Sequence, residues 1–286
     1  MKFTTMVCKV KKVLRAHPTL EGAGVKLKRA FGFDTRYDTD PFLLLDHFGS
    51  DKSEDYIAGF PWHPHRGIET VTYMLEGNVE HNDSLGNSGV IGPGDVQWMT
   101  AGSGIIHQEM PMPQNGLMYG FQLWVNLPKA HKMTNPMYRE ITTNDIPLIE
   151  NPESRIKVIS GRYKQVNGVV QDLFADILYF DLKIWPDSNF TYPVSEEFNC
   201  MAYVYDGVAV FPGRETFVRS EELVLLDKGN RIDIKAGDDG ARLLLIGGKP
   251  LCERIAWRGP IVMNTDEEID TAFEEFYNGN FIMKPG

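Results

Sequence analysis

Glu69-Thr70-Val71-Thr72-Tyr73-Met74-Leu75-Glu76-Gly77 is rich in β-branched and aromatic residues and ends on an acid and a glycine, the signature of a strand running into a turn. Sliding the chain by 130 positions sets it against Asn199-Cys200-Met201-Ala202-Tyr203-Val204-Tyr205-Asp206-Gly207, where the aromatic, the acid and the glycine coincide. The match predicts two related halves, each a β-barrel.

Other short runs of the same kind support an all-β chain: Gly120 to Val125, Leu178 to Leu182, Ala202 to Tyr205, Leu223 to Leu226 and Leu243 to Ile246. Turn chemistry separates them. In Gly92-Pro93-Gly94-Asp95 the proline supplies a φ near −65° and the glycine tolerates a positive one. One helix stands out over 265–279, where Thr265 and Glu268 form a capping box, Ile269, Ala272, Phe273 and Phe276 make an apolar stripe, and Gly279 stops it. A polar, proline-containing stretch from Leu127 to about Asn144 reads as helical or irregular and as a connection. The expected organisation is an N-terminal domain over 1–130, a linker over 131–149 and a C-terminal domain over 150–286 that includes the helix.

Composition narrows the function classes. A chain of 286 residues with 42% hydrophobic and 24% charged residues has the make-up of a well-cored globular protein. No apolar run approaches the ~18–20 residues that span a bilayer, and Met1 to Val10 has no signal-peptide core, so the expectation is a cytoplasmic protein without membrane contact. Cys8, Cys200 and Cys252 are scattered and odd in number, which suits reduced core residues rather than a disulfide framework.

The net charge is −10; residues 1–131 carry 12 Lys and Arg against 14 Asp and Glu, leaving 17 against 25 for the remainder. Such a surface repels phosphate backbones, so no direct nucleic-acid binding is expected. The cluster Lys9, Lys11, Lys12, Arg15, Lys26, Lys28 and Arg29 reads as a solvated strand face.

Chemistry concentrates in two pairs. Trp62-His63-Pro64-His65 and Ile106-His107-Gln108-Glu109 each place two ligand-type residues at i and i+2, which project from the same face of a strand. Two such strands facing each other could close on one ion. Lone histidines such as His17, His81 and His131 read instead as surface or hydrogen-bonded core residues, and His47 as a neighbour of the site or simply buried. All seven histidines precede residue 132, and under the 130-residue shift His63 falls opposite Pro193 and His65 opposite Ser195. Any imidazole-bound metal therefore belongs to the first half.

Three imidazoles and a carboxylate suit Fe, Mn, Ni, Cu or Zn and disfavour Ca and Mg; open positions beside a redox-capable ion suit oxygen chemistry, which makes Fe(II) the first choice. Glu69, four residues after His65, competes with Glu109 for the carboxylate role or could orient an imidazole. Trp62, Arg66, Gln97, Trp98, Met99 and Gln108 are candidate lining by proximity alone, and core packing is the plainer reading for the aromatics and Met99.

The runs Pro41 to Phe48, Gly59-Phe60-Pro61-Trp62-His63-Pro64-His65-Arg66-Gly67-Ile68-Glu69-Thr70, Gly94 to Pro111, Gln122 to Pro128 and Gly259 to Thr265 together resemble the pirins, a branch of the cupin superfamily. The resemblance implies a bicupin, two tandem antiparallel barrels with metal in the first only. Its ligands fall on His63, His65, His107 and Glu109, whereas the wider cupin pattern would place its acid near Glu69, so the family favours Glu109. It also implies quercetin 2,3-dioxygenase chemistry, with a flavonol and O2 as substrates and Glu109 as both ligand and base for the flavonol's 3-hydroxyl proton. Animal pirins are associated with transcriptional coregulation through partner proteins, so a metal- or redox-sensing interaction module is the alternative. A cupin isomerase or epimerase ranks last, because among clustered basic residues only Arg66 lies near the ligands.

Overall fold

The structure is a computed structural model that describes residues 4–112, 116–214 and 216–283. The chain forms two compact units, each drawing on separate stretches of sequence. One takes His17–Arg36, Pro41–Thr143 and Leu251–Gly286; the other takes Met1–Ala16, Tyr37–Asp40 and Asn144–Pro250. Among the described residues, apart from three single-turn helices and the C-terminal helix Asp266–Tyr277, the regular structure is strand, and the strands pair antiparallel, with only isolated bridges such as Val7 to Arg231 parallel. The all-β expectation holds.

The two units repeat one strand order. In the first unit a sheet runs Met137–Ile141, Val96–Thr100, Ile68–Glu76, Met118–Asn126, Phe42–Ser50, Val25–Phe31, His17–Glu21. In the second the path is Val10–Arg15, Glu222–Leu226, Asn199–Val210, Arg231–Gly248, Ile177–Ile184, Ser154–Ser160, Leu148–Glu150. The strands carrying the matched segments, Ile68–Glu76 and Asn199–Val210, hold the same place, third in each path. Their terminal glycines, Gly77 and Gly207, both have positive φ, 82° and 70°.

The division of the chain differs from the sequential one expected. Val10–Arg15 pairs with Glu222–Leu226 and covers the edge of the second unit's sheet, so the N-terminus serves the later unit. The expected linker holds a strand of its own, Met137–Ile141, which pairs with Val96–Thr100; of the stretch read as helical or irregular, only the single turn Lys129–His131 is helical. The C-terminal segment belongs with the first unit. There the hairpin Ala256–Arg258/Ile261–Met263 and the helix share one core of Ala256, Ile261, Met263, Ile269, Ala272 and Phe281. The capping box forms as read: the Thr265 hydroxyl accepts from the Glu268 amide at 3.2 Å, and the Glu268 carboxylate accepts from the Thr265 amide at 2.9 Å.

Within the second unit the space between strands is filled by apolar side chains, among them Phe180, Leu182, Phe190, Ala202, Val204 and Leu243. The first unit adds a second sheet, Phe60–His65, Ile105–Pro111, Val79–Asp83, Ser88–Ile91, and this sheet carries both histidine pairs. Cys8 and Cys200 are buried and free, as expected, but Cys252 is exposed. Among the described residues no helix is long and apolar enough to cross a membrane.

Candidate metal centre

Strands Phe60–His65 and Ile105–Pro111 lie side by side with His107 opposite His63 and Ile105 opposite His65. Cross-strand partners share a face, so the i, i+2 spacing of His63 and His65 delivers all three imidazoles to one spot. A ligand atom from each of His63, His65 and His107 lies within 4.8 Å of the others. Beyond His107 the register slips, pairing Glu109 with Phe60.

Glu109 enters the same cavity as His63 and His65 but does not join the close-set trio. Its Oε1 lies 2.8 Å from the Thr72 hydroxyl, which is also 2.6 Å from Gln122 Oε1, and the Gln122 amide donates to its Oε2 at 3.5 Å. Glu69 is elsewhere. Its buried carboxylate accepts from the Thr100 hydroxyl at 2.7 Å, and unlike Glu109 it does not line the cavity, the strand parity being broken after Arg66-Gly67.

The imidazoles are set for a cation. His63 Nδ1 is 2.8 Å from the Pro61 carbonyl and His65 Nδ1 is 3.1 Å from the Pro260 carbonyl. A carbonyl only accepts, so each Nδ1 carries the proton and each Nε2 presents a lone pair. Those two Nε2 atoms face each other at 3.1 Å. Both nitrogens of His107 are buried with no hydrogen-bond partner among the described residues, a costly arrangement without a ligand. Burial, then the neighbouring imidazoles, holds His65 and His107 well below the ordinary histidine range, keeping them neutral as metal ligands require. The donor set fits a divalent transition metal.

Backbone geometry turns the chain immediately after the first pair. Gly67 has φ 76°, and a Cβ there would meet the Val262 carbonyl. Lys132, itself buried, holds the same turn from the other side, its ammonium donating to Gly67 O at 2.8 Å, Val262 O at 2.9 Å and Asn126 Oδ1 at 2.5 Å.

The cavity beside the histidines has a volume of about 610 Å³. Trp124 meets His65 edge-on at 5.0 Å, and Trp257 stands 6.0 Å from Trp124, giving an aromatic wall; Phe33, Phe48 and Phe60 add to it. None of Trp62, Arg66, Gln97, Trp98, Met99 or Gln108 lines it. Trp98 and Met99 are buried core, Trp62 is exposed, and Arg66 is buried against Glu275 at 2.6 Å. His47 packs between Tyr119 and Phe121, and His81 is a hydrogen-bonded core residue, 3.2 Å from Asp83. Reading from sequence missed Thr72, Gln122, Trp257 and the Pro260 carbonyl. The alternation of Thr70 and Thr72 was the available signal for the first; nothing marks a backbone carbonyl.

Two antiparallel units of one strand order, with a close-set histidine trio in one of them, define a two-domain cupin protein, a class in which such a trio holds a single divalent metal. The chain belongs to the pirin family: the pirin profile matches residues 24–125, and that of the pirin C-terminal cupin domain matches residues 179–282. A pirin-like protein of Caulobacter vibrioides is 45% identical over 274 residues, covering 95% of this chain and 98% of its own. A Pseudomonas aeruginosa relative, provisionally named a quercetin 2,3-dioxygenase, is 42% identical, covering 92% of this chain and 94% of its own. The crystal structure of an Acinetobacter baumannii quercetin 2,3-dioxygenase superimposes with a TM-score of 0.89 at 34% identity, covering 96% of this chain and 99% of that one.

Proposed function

We propose that the protein is a mononuclear metal-dependent dioxygenase that cleaves flavonols such as quercetin with O2. The observation that carries this reading is the close-set trio His63, His65 and His107, two members of which line, together with Glu109, a cavity with aromatic walls. His63, His65, His107 and Glu109 would hold the ion, with Fe(II) favoured by the mixed imidazole and carboxylate donors. When bound, such an ion supplies Lewis acidity and one-electron chemistry toward O2.

The remaining steps belong to the chain. The indole faces of Trp124 and Trp257 hold a flat ring system and exclude water from it. Glu109, oriented by Thr72 and Gln122, accepts the 3-hydroxyl proton and leaves an electron-rich enolate. Pro260 and Pro61 fix the imidazole tautomers throughout. Atoms balance when both oxygens of O2 enter the products: two carbon–carbon bonds of the central ring break, giving a ring-opened ester and carbon monoxide. We place the protein in the cytosol, where Cys8 and Cys200 stay reduced.

The test is aerobic quercetin consumption with carbon monoxide detection. Activity should stop on chelation and return with one restored metal. Quercetin left intact by fully iron-, nickel- or copper-loaded protein overturns the assignment and favours the redox-sensing alternative.

A further inference from the structure

The cavity contains a charge pair that the proposed chemistry does not use. Arg29 donates to both oxygens of Asp46, from Nε at 2.8 Å and from Nη2 at 2.7 Å, and Nη2 also meets Glu21 at 2.9 Å. All three residues line the cavity together with His63, His65 and Glu109. Asp46 is 5% exposed.

Register explains how the pair is connected to the site. Thr72 stands opposite Gln122, Gln122 opposite Asp46, and Asp46 opposite Arg29, so four adjacent strands contribute one polar row. The row begins at the Thr72 hydroxyl on Glu109 and ends at Glu21. An apolar row flanks it on either side, Leu44 and Trp124 on one, Leu27 and Phe48 on the other. At a strand spacing of about 4.8 Å, Asp46 is two strands, or ~10 Å, from Thr72. A polar stripe between apolar ones suits a flat aromatic molecule that carries hydroxyls along its length.

Building on the flavonol reading, we propose that Asp46, held by Arg29 and extended by Glu21, is a specificity subsite that accepts hydrogen bonds from phenolic hydroxyls remote from the metal-chelating edge. Arg29 occupies one lone-pair direction on each Asp46 oxygen and leaves the others for ligand donors. Phenol donating to carboxylate is a strong, charge-assisted bond. A ligand without those hydroxyls would strip water from a buried carboxylate and return nothing, which is how a polar site rejects an apolar analogue. The substrate class is thus narrowed to polyhydroxylated flavonols.

Anaerobic titration of the full-length protein with quercetin and with 3-hydroxyflavone, read by tryptophan quenching, tests this without turnover. The two share the chelating edge and differ in the outlying hydroxyls. Wild type should bind quercetin at least about tenfold more tightly, and Asp46→Asn should reduce that ratio to below about threefold while leaving 3-hydroxyflavone within about twofold. Glu21→Gln, at a partly exposed position, should weaken quercetin alone by about two- to fivefold; it serves as the second variant should Asp46→Asn fail to fold. Equal affinities in wild type, or a ratio preserved in both variants, overturn the subsite and leave the flavonol reading standing. Binding of neither flavonol overturns both.

Discussion

The Nδ1 atom of His65 lies 3.1 Å from the carbonyl oxygen of Pro260, across 195 residues of sequence. That carbonyl sets the tautomer of the imidazole, and the segment that carries it is locked to the histidine strand at three further points. Val262 N donates to Arg66 O at 3.1 Å, Lys132 bridges Gly67 and Val262, and the buried Arg66 guanidinium pairs with Glu275 and donates to Phe281 O at 3.0 Å. The C-terminal segment is therefore part of the site's support.

His107 offers a direct test of metal binding that needs no substrate. Its two nitrogens lack hydrogen-bond partners among the described residues, so in metal-free protein His107→Leu should cost little stability or even add some. Metal should raise the wild-type melting temperature, by about 2.7 kcal/mol of stability at a hundredfold excess over Kd, and leave the variant unmoved. Thermal melts with and without added metal read both effects; a variant that still gains stability from metal removes His107 from the ligand set.

Glu109 and Glu69 separate by geometry and should separate by titration. Glu109→Gln is expected to weaken metal affinity at least about tenfold, whereas Glu69→Gln, which alters contacts with Thr100 and Trp98 away from the cavity, should stay within about twofold. Competition against a chromophoric chelator measures both. The reverse order would exchange the roles of the two acids.

The histidine pairs were legible because i, i+2 spacing survives folding as long as the strands do, and the helix because its cap, stripe and terminal glycine are all local. What sequence hid was either long-range or faceless. Nothing in Val10–Arg15 says that it will pair with Glu222–Leu226 rather than with its own neighbours. In Phe42-Leu43-Leu44-Leu45-Asp46-His47-Phe48 both faces of the strand are buried, so no alternation tells that Asp46 turns into the cavity while His47 turns away. Arg29 hid for a different reason: its strand Val25–Phe31 does alternate, but beside Lys26 and Lys28 a basic residue on the Val25 and Leu27 face reads as one more charge on a solvated face.

His47 should leave a signature in the pH dependence of stability. Burial, with Lys28 adding to it, pushes its imidazole down to about 3. Between that value and the unfolded one near 6.5, the unfolded chain holds a proton that the folded chain does not, so stability is full above pH 6.5 and falls as the pH drops through the window. His47→Phe removes that slope. Comparing urea midpoints at pH 6.5 and pH 4, wild type should lose about 3 kcal/mol more than the variant; parallel losses would mean that His47 titrates normally in the fold.

Lys132 is the strongest test of whether the C-terminal segment supports the metal site or merely the fold. Its ammonium has three hydrogens and meets three acceptors, on Gly67, Val262 and Asn126. Lys132→Met keeps the volume but leaves those oxygens without a donor, at a cost of about 2–4 kcal/mol, so the melting temperature should fall by several degrees. Gly67 is two residues from His65, and Val262 is two residues from the Pro260 carbonyl that orients it. Loosening both should also lower metal affinity, by about tenfold, the effect expected when an orienting contact is lost. If the melting temperature falls while metal affinity holds, the clamp secures the C-terminal segment alone, and the Pro260 carbonyl by itself suffices to fix His65.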